Sequence, residues 1–439
     1  MISGLKNSSL KQKLWAIAGV SLIARLMMFL TLPSVPSSLG PDEGTYASLV
    51  KWVGESKQAN EFPAYGEGLY LSGRSMIFPA SILYRLGVNE LDAVRLVASI
   101  YGYCALLIII FFILKLQTTI AREQLREKYN ENLIVGIVLT FSFLPSHFVW
   151  SNLGLRESAT EIWLISTFLV FFIIFHYRNR ITFPTLLTLF GSIVLTFSAR
   201  PQVGWVLGVS LILYLLLHLK KTNTYFLIPL VLCATLFGST LNLGSTGTTT
   251  STGTTTSTGG FLGSAFRPLT SAGEIVSYKQ EVNQLDAASV IKTQSCPRET
   301  PSITSAPPTK FDTYFCIAWR APYMISTFLF RPILGVDVTS SSSLMAALEN
   351  IVWISVFVTL LMLFIRKRQI SFLKPLLPAI VFFGLYVSGA SAYQGNMGTG
   401  FRHKSLILWV VLLMLFALAW RKAENPEHKS RNNSQESAV

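Results

Sequence analysis

The sequence predicts an all-α integral membrane protein of about ten transmembrane helices. Three observations carry this. Hydrophobic residues make up 51% of the chain and charged ones 13%, and the apolar residues come in long runs. Several runs reach the roughly 20 residues needed to cross about 30 Å of hydrocarbon. The basic residues behind the net charge of +14 lie between the runs, so they read as topology signals and not as a nucleic-acid surface. A β-barrel is excluded because the runs do not alternate apolar with polar.

The spans fall at about 14–32, 93–116, 132–149, 159–176, 182–198, 203–219, 224–241, 350–365, 371–391 and 405–420. Lys6, Lys11 and Lys13 precede the first run as in a signal peptide. No small-residue cleavage site follows and Arg25 interrupts the run, so an uncleaved first helix is expected. With that N-terminus inside, the short inner connections carry Arg122/Arg126/Lys128, Arg178/Arg180, Lys220/Lys221 and Arg366/Lys367/Arg368. Every one of them is basic, as the positive-inside rule requires. The outer segments are then 33–92, 146–158, the Ala199-Arg200-Pro201 turn, 242–349 and 392–404.

The organisation that follows has a seven-span module over 1–241, an outer loop over 242–349, C-terminal spans over 350–420 and an inner tail over 421–439. In the first outer segment, Asp42 to Glu55 reads as a short helix with Trp52 as an interfacial anchor, and Met76 to Leu86 as a second helix along the bilayer. The long loop opens with the Gly/Ser/Thr run 244–259, which cannot bury a core and is expected to be a flexible linker. Tyr314 to Leu334 regains apolar character and is expected to return to the membrane surface.

Cys104 and Cys233 lie inside spans as packing residues, whereas Cys296 and Cys316 share the long outer loop and could form a disulfide. The chain has no CxxC or Cys/His cluster of the kind that holds structural zinc.

Four stretches could carry chemistry. In Gly40-Pro41-Asp42-Glu43-Gly44-Thr45-Tyr46, paired carboxylates just beyond the first span could accept a proton or hold a divalent cation, Mg²⁺ or Mn²⁺. Asp42 and Tyr46 share a helix face four residues apart. In Ser151-Asn152-Leu153-Gly154-Leu155-Arg156-Glu157, Arg156 could hold a phosphate that Glu157 orients, or the two could cap the helix as a salt bridge. His147, just before, reads as structural. Arg200 stands at the outer end of its span, either snorkelling or binding an anion. In Gly395-Asn396-Met397-Gly398-Thr399-Gly400-Phe401-Arg402-His403-Lys404, glycines that admit an anion precede three basic side chains on the outer side. The GxxxxGK[ST] spacing of a P-loop is absent.

Acids on the first outer loop and arginines at the outer ends of later spans suit a lipid-linked phosphate and a hydroxyl to be deprotonated. With that layout, the Asp42-Glu43 pair with Tyr46 resembles the GT-C superfamily of membrane glycosyltransferases. That superfamily includes protein O-mannosyltransferases, bacterial aminoarabinose transferases and RgtA/B/C/D-like transferases. The resemblance covers about residues 10–230. It implies a bacterial inner-membrane enzyme with its active site on the extracytoplasmic side. The donor it implies is a polyprenyl-phosphate-linked sugar, and the acceptor a glycan, lipid or protein. Asp42 would be the base or would orient the acceptor, with Glu43 assisting; Arg156, Arg200, Arg402 and His403 would bind the donor phosphate. Tyr46, Glu157 and Lys404 would support them. The Leu155-Arg156-Glu157, Arg200-Pro201 and Gly398–His403 stretches look more like O-antigen polymerases and ligases, which act on polyprenyl-diphosphate glycans. Both donors therefore stay open. A transporter for a lipid or small anion is the third class, and the absence of a visible internal repeat weighs against it.

Overall fold

The computed structural model describes residues 10–33, 35, 42–55, 73–123, 127–128, 131–176, 182–218, 222–240, 310–338, 341–367, 370–393, 397–419 and 421–422. The linker run 244–259, the loop to 309 with Cys296, and the tail from 423 lie outside them, and so does the expected Cys296–Cys316 bridge.

The described chain is helical apart from two short strands. In order it runs α1 (Leu10–Thr31), α2 (Glu43–Gly54), α3 (Arg74–Arg85), α4 (Glu90–Glu123), β1 (Glu127–Lys128), α5 (Glu131–Phe143), α6 (Pro145–Asn152) and α7 (Glu157–His176). There follow α8 (Phe183–Ala199), α9 (Pro201–Leu217), α10 (Thr222–Thr240), α11 (Lys310–Phe330), α12 (Ser341–Lys367), a 3-10 helix (Ile370–Leu376), α13 (Leu377–Tyr393), α14 (Met397–Ala419) and β2 (Arg421–Lys422). β1 and β2 pair antiparallel.

Seven helical stretches among the described residues are long and apolar enough to cross a membrane: 10–31, 90–118, 131–152, 157–175, 343–365, 373–391 and 400–418. This is a multi-pass membrane protein. The other three expected spans are helices too, but shorter: α8 and α9 have 17 residues each, and the described apolar part of α10 covers Leu227–Ser239. At 1.5 Å per residue, 17 residues rise only about 26 Å.

Proline sets several boundaries. Leu144 is extended (φ −63°, ψ 130°), as a residue before proline prefers, and Pro145 restarts the helix as the first residue of α6. Arg200, also extended, ends α8 and begins α9 ahead of Pro201.

α14 lies at the centre, with 89% of its span window buried, and α7 is next at 72%. α1 and α12 are peripheral, at 28% and 17%, and turn Ile23, Leu26, Leu30, Leu361 and Ile365 outward. The C-terminal helices pack into the first group: α14 against α5, α6 and α7, and α13 against α9. Tyr314–Leu334 falls in α11 and the turn after it, and α11 packs against α12, α13 and α14.

The two short helices expected in the first connection are present. α2 and α3 pack on each other, and Arg85 donates to the Gly54 and Val53 carbonyls (3.0 and 3.1 Å), capping the C-terminus of α2. Both helices pack on α4.

Candidate functional site

One end of the bundle collects the ionisable side chains. The C-terminus of α1, α2, the N-termini of α4, α7 and α14, and the α8–α9 turn all meet there. The relevant positions in each helix are set by sequence. In α1 the next charged residue after Arg25 toward the far end is Lys13; in α4 Arg95 is followed by Lys115, and in α12 Glu349 by Arg366. α7 has none after Glu161, and α14 none after Lys404. The far half of α7 is instead aromatic, with Phe168, Phe171, Phe172 and Phe175 lining a small apolar crevice with Phe112 and Tyr214.

Arg95, 1% exposed, organises the first acid pair. It donates to both oxygens of Glu43 (2.6 and 3.2 Å) and to the carbonyls of Pro33 (2.6 Å) and Val35 (3.0 Å). One guanidinium thus ties the end of α1 to the start of α2. The two neighbouring carboxylates diverge: Glu43 is buried on Arg95, whereas Asp42 is 42% exposed and accepts from Arg402 Nη1 at 3.0 Å. A shared divalent cation does not fit this arrangement, because a guanidinium already stands on each carboxylate. No group of three His, Cys, Asp or Glu that could hold a metal occurs among the described residues.

The other arginines join Asp42 and Arg402. Arg200 donates to Glu157 Oε1 at 3.1 Å, with both side chains buried. It therefore turns inward instead of snorkelling to water. Glu157 lies within electrostatic reach of Arg200, Arg402 and Arg156, and Tyr46 within reach of Arg156, Glu157, Asp42 and Arg200. Tyr46 is 1% exposed; burial pushes its phenol up to about 12, although Arg156 and Arg200 pull the other way. Six of the residues singled out from sequence therefore share one cluster: Asp42, Tyr46, Arg156, Glu157, Arg200 and Arg402.

Two do not take the expected place, Glu43 and Lys404. Glu43 is committed to Arg95. His403, next to Arg402 in the chain, is buried near the start of α14. Lys404 is fully buried and donates to Asn350 Oδ1 (2.7 Å) and the Arg331 carbonyl (2.8 Å), so it holds α14 to α12 and to the turn after α11.

Beneath the cluster runs a second polar layer, whose Arg25 and His147 were noticed in the sequence singly and whose Glu161 and Glu349 were not. Arg25 donates to Ser151 Oγ and, at 3.0 Å, meets His147 Nε2; His147 Nδ1 meets Glu161 Oε2 at 2.7 Å. An arginine can only donate, so His147 Nε2 accepts and Nδ1–H donates to Glu161. Glu349 accepts from the Ser146 backbone N–H (2.6 Å) and Trp353 Nε1 (3.0 Å). Charges inside otherwise apolar runs, Arg25, Arg95, Glu161 and Glu349, were the available signal, since a charge at that depth needs a partner. His147 is buried and bridges Arg25 and Glu161.

The α6–α7 turn sits on α4. Gly154 has φ +66°, and a Cβ there would meet Val94 Cγ1 at 2.7 Å. The turn that presents Arg156 and Glu157 thus rests on the same turn of α4 that holds Glu43.

No protein-family model, curated protein or solved structure matches the chain.

Proposed function

We propose that the protein is a membrane glycosyltransferase of GT-C type. It would move a sugar from a polyprenyl-phosphate-linked donor to a glycan, lipid or protein acceptor, on the extracytoplasmic side of a bacterial inner membrane. The observation that carries this reading is the meeting of Asp42 with Arg402 beside Arg156, Glu157 and Arg200, from segments up to 360 residues apart. Guanidinium groups at a bundle end suit a phosphate that cannot leave the bilayer, and an exposed carboxylate among them suits an incoming hydroxyl. The basic short connections, read as inner by the positive-inside rule, support an outer position for this end.

Asp42 takes the acceptor proton or orients its hydroxyl, and Arg402, Arg156 and Arg200 hold the phosphate. Glu43 serves Asp42 only by fixing the start of α2. The test is transfer from a radiolabelled polyprenyl-phosphate sugar by protein in proteoliposomes. Asp42→Asn abolishes transfer at unchanged melting temperature; unchanged transfer removes the assignment.

The three arginines also favour a second reading, a polymerase or ligase using polyprenyl-diphosphate glycans. There Arg402→Gln would reduce activity more than Asp42→Asn, and short lipid-linked glycans would accumulate. Transport draws little support, because no internal repeat is visible in the sequence.

A further inference from the structure

Three ion pairs stand at the candidate site, and burial separates them. The side chains of Glu43 and Arg95 are 0% and 1% exposed, and those of Glu157 and Arg200 are 5% and 7% exposed. Asp42 and Arg402 are 42% and 12% exposed. Breaking either buried pair strands a charge in a low-dielectric interior. Breaking the third hands one carboxylate to water, where exposed pairs contribute little.

Resting on the reading of this end as a lipid-phosphate site, we propose that Asp42–Arg402 is an exchangeable contact. A phosphate anion takes Arg402 from Asp42, and the carboxylate released becomes the group that accepts a proton. The base is then unmasked only when the donor is bound.

Two further observations support the exchange. The Asp42 backbone is part of α2's first turn, with Tyr46 N–H donating to its carbonyl at 3.0 Å. Glu43 beside it is held by Arg95. Release therefore needs only a rotation of the Asp42 side chain, with no movement of α2. Arg402 also lies within electrostatic reach of Glu157, so an anion on Arg402 stays in the company of Arg156 and Arg200. A phosphate can take two N–H bonds from one guanidinium at higher strength than a single-bonded carboxylate.

The experiment is a double-mutant cycle on the full chain in neutral detergent, with dodecyl phosphate as the probe and calorimetric titration as the readout. Arg402→Gln weakens binding about tenfold or more. Asp42→Asn tightens binding by up to about fivefold, the factor set by an exposed pair of ~1 kcal/mol. Asp42→Asn/Arg402→Gln then binds like Arg402→Gln alone. If Asp42→Asn tightens binding equally in both backgrounds, the carboxylate acts by general repulsion and the exchange is overturned. If neither wild type nor Asp42→Asn binds dodecyl phosphate, the phosphate-site reading itself fails, and the exchange with it. Asp42→Ser and Arg402→Lys stand in if a first variant loses its monodisperse peak; Arg402→Lys retains the coupling.

Discussion

Glu349 caps a helix that lies 203 residues before it in the chain. Its carboxylate accepts from the backbone N–H of Ser146, in the first turn of α6, where Leu144 offers no side-chain cap of its own. A carboxylate at a helix N-terminus satisfies an orphan donor and meets the positive end of the dipole. Lys404 lies within electrostatic reach of the same carboxylate. Glu349→Ala therefore leaves the Ser146 N–H and the Trp353 Nε1–H without their acceptor, while Lys404 keeps Asn350 and the Arg331 carbonyl. The expected cost is ~2–5 kcal/mol for the two orphaned donors, read as a lower melting temperature in detergent. A change under 1 kcal/mol would show that the cap contributes little.

Arg95 makes the same kind of prediction at the first acid pair. Arg95→Met strands Glu43 and releases the Pro33 and Val35 carbonyls, and costs ~3–5 kcal/mol. Asp42→Asn, one residue from Glu43, changes stability by no more than ~1 kcal/mol, too little for a marked shift in melting temperature. Equal effects of the two variants would contradict the division between a fixed acid and an exchangeable one.

Gly154 offers a test with two separable parts. Gly154→Ala incurs ~1–2 kcal/mol for placing an L-residue at positive φ, plus the clash with Val94. Val94→Ala in the same chain removes the clash and leaves the backbone cost. Melting curves of the single and double variants resolve the parts; no recovery in the double variant refutes the contact.

Asp337 gives a pH signature. The hydrogen bonds from Arg331, with the N–H of Ile333 adding to them, hold its carboxyl below the usual carboxylate range despite burial. A depressed folded-state value means that its stabilisation is present above the unfolded value of about 4 and is lost as pH falls through the folded one. Asp337→Asn thus lowers the melting temperature at neutral pH, and the gap to wild type closes on acidification below about pH 4. A gap that widens in acid would reverse the sign and exclude the pairing.

Much of the secondary structure was legible in the sequence, and most of the pairing was not. α2 could be read because Asp42–Glu55 is bounded by prolines and polar residues, and the apolar runs gave the helices because a lipid-facing helix is apolar all round. That signal says little about length, so it did not separate the shorter helices α8, α9 and α10 from the seven longer ones. Arg200 and Arg402 drew notice because a basic residue at the expected outer end opposes the positive-inside pattern, Asp42 because it belongs to a paired carboxylate just beyond the first span, and Arg156 because it stands beside Glu157. Glu43 and Asp42 could not be told apart by sequence: which of them meets Arg95 depends on the rotation of α2 against α4. Lys404 likewise looked like part of a basic triplet. Consecutive residues on a helix point about 100° apart, and α14 is buried nearly all round, so one triplet faces three surroundings.

The helix that completes the cluster is also the one most deeply enclosed. Arg402 is synthesised 360 residues after the carboxylate it meets. At roughly 5–20 residues per second, that delay is about 20–70 s. Until then α5, α6 and α7 lack the helix they pack on, although Glu349, which caps α6, comes earlier in the chain. A chain without α14 leaves Asp42 without Arg402 and α5, α6 and α7 without their shared packing partner, so the same helix closes both the cluster and the centre of the bundle.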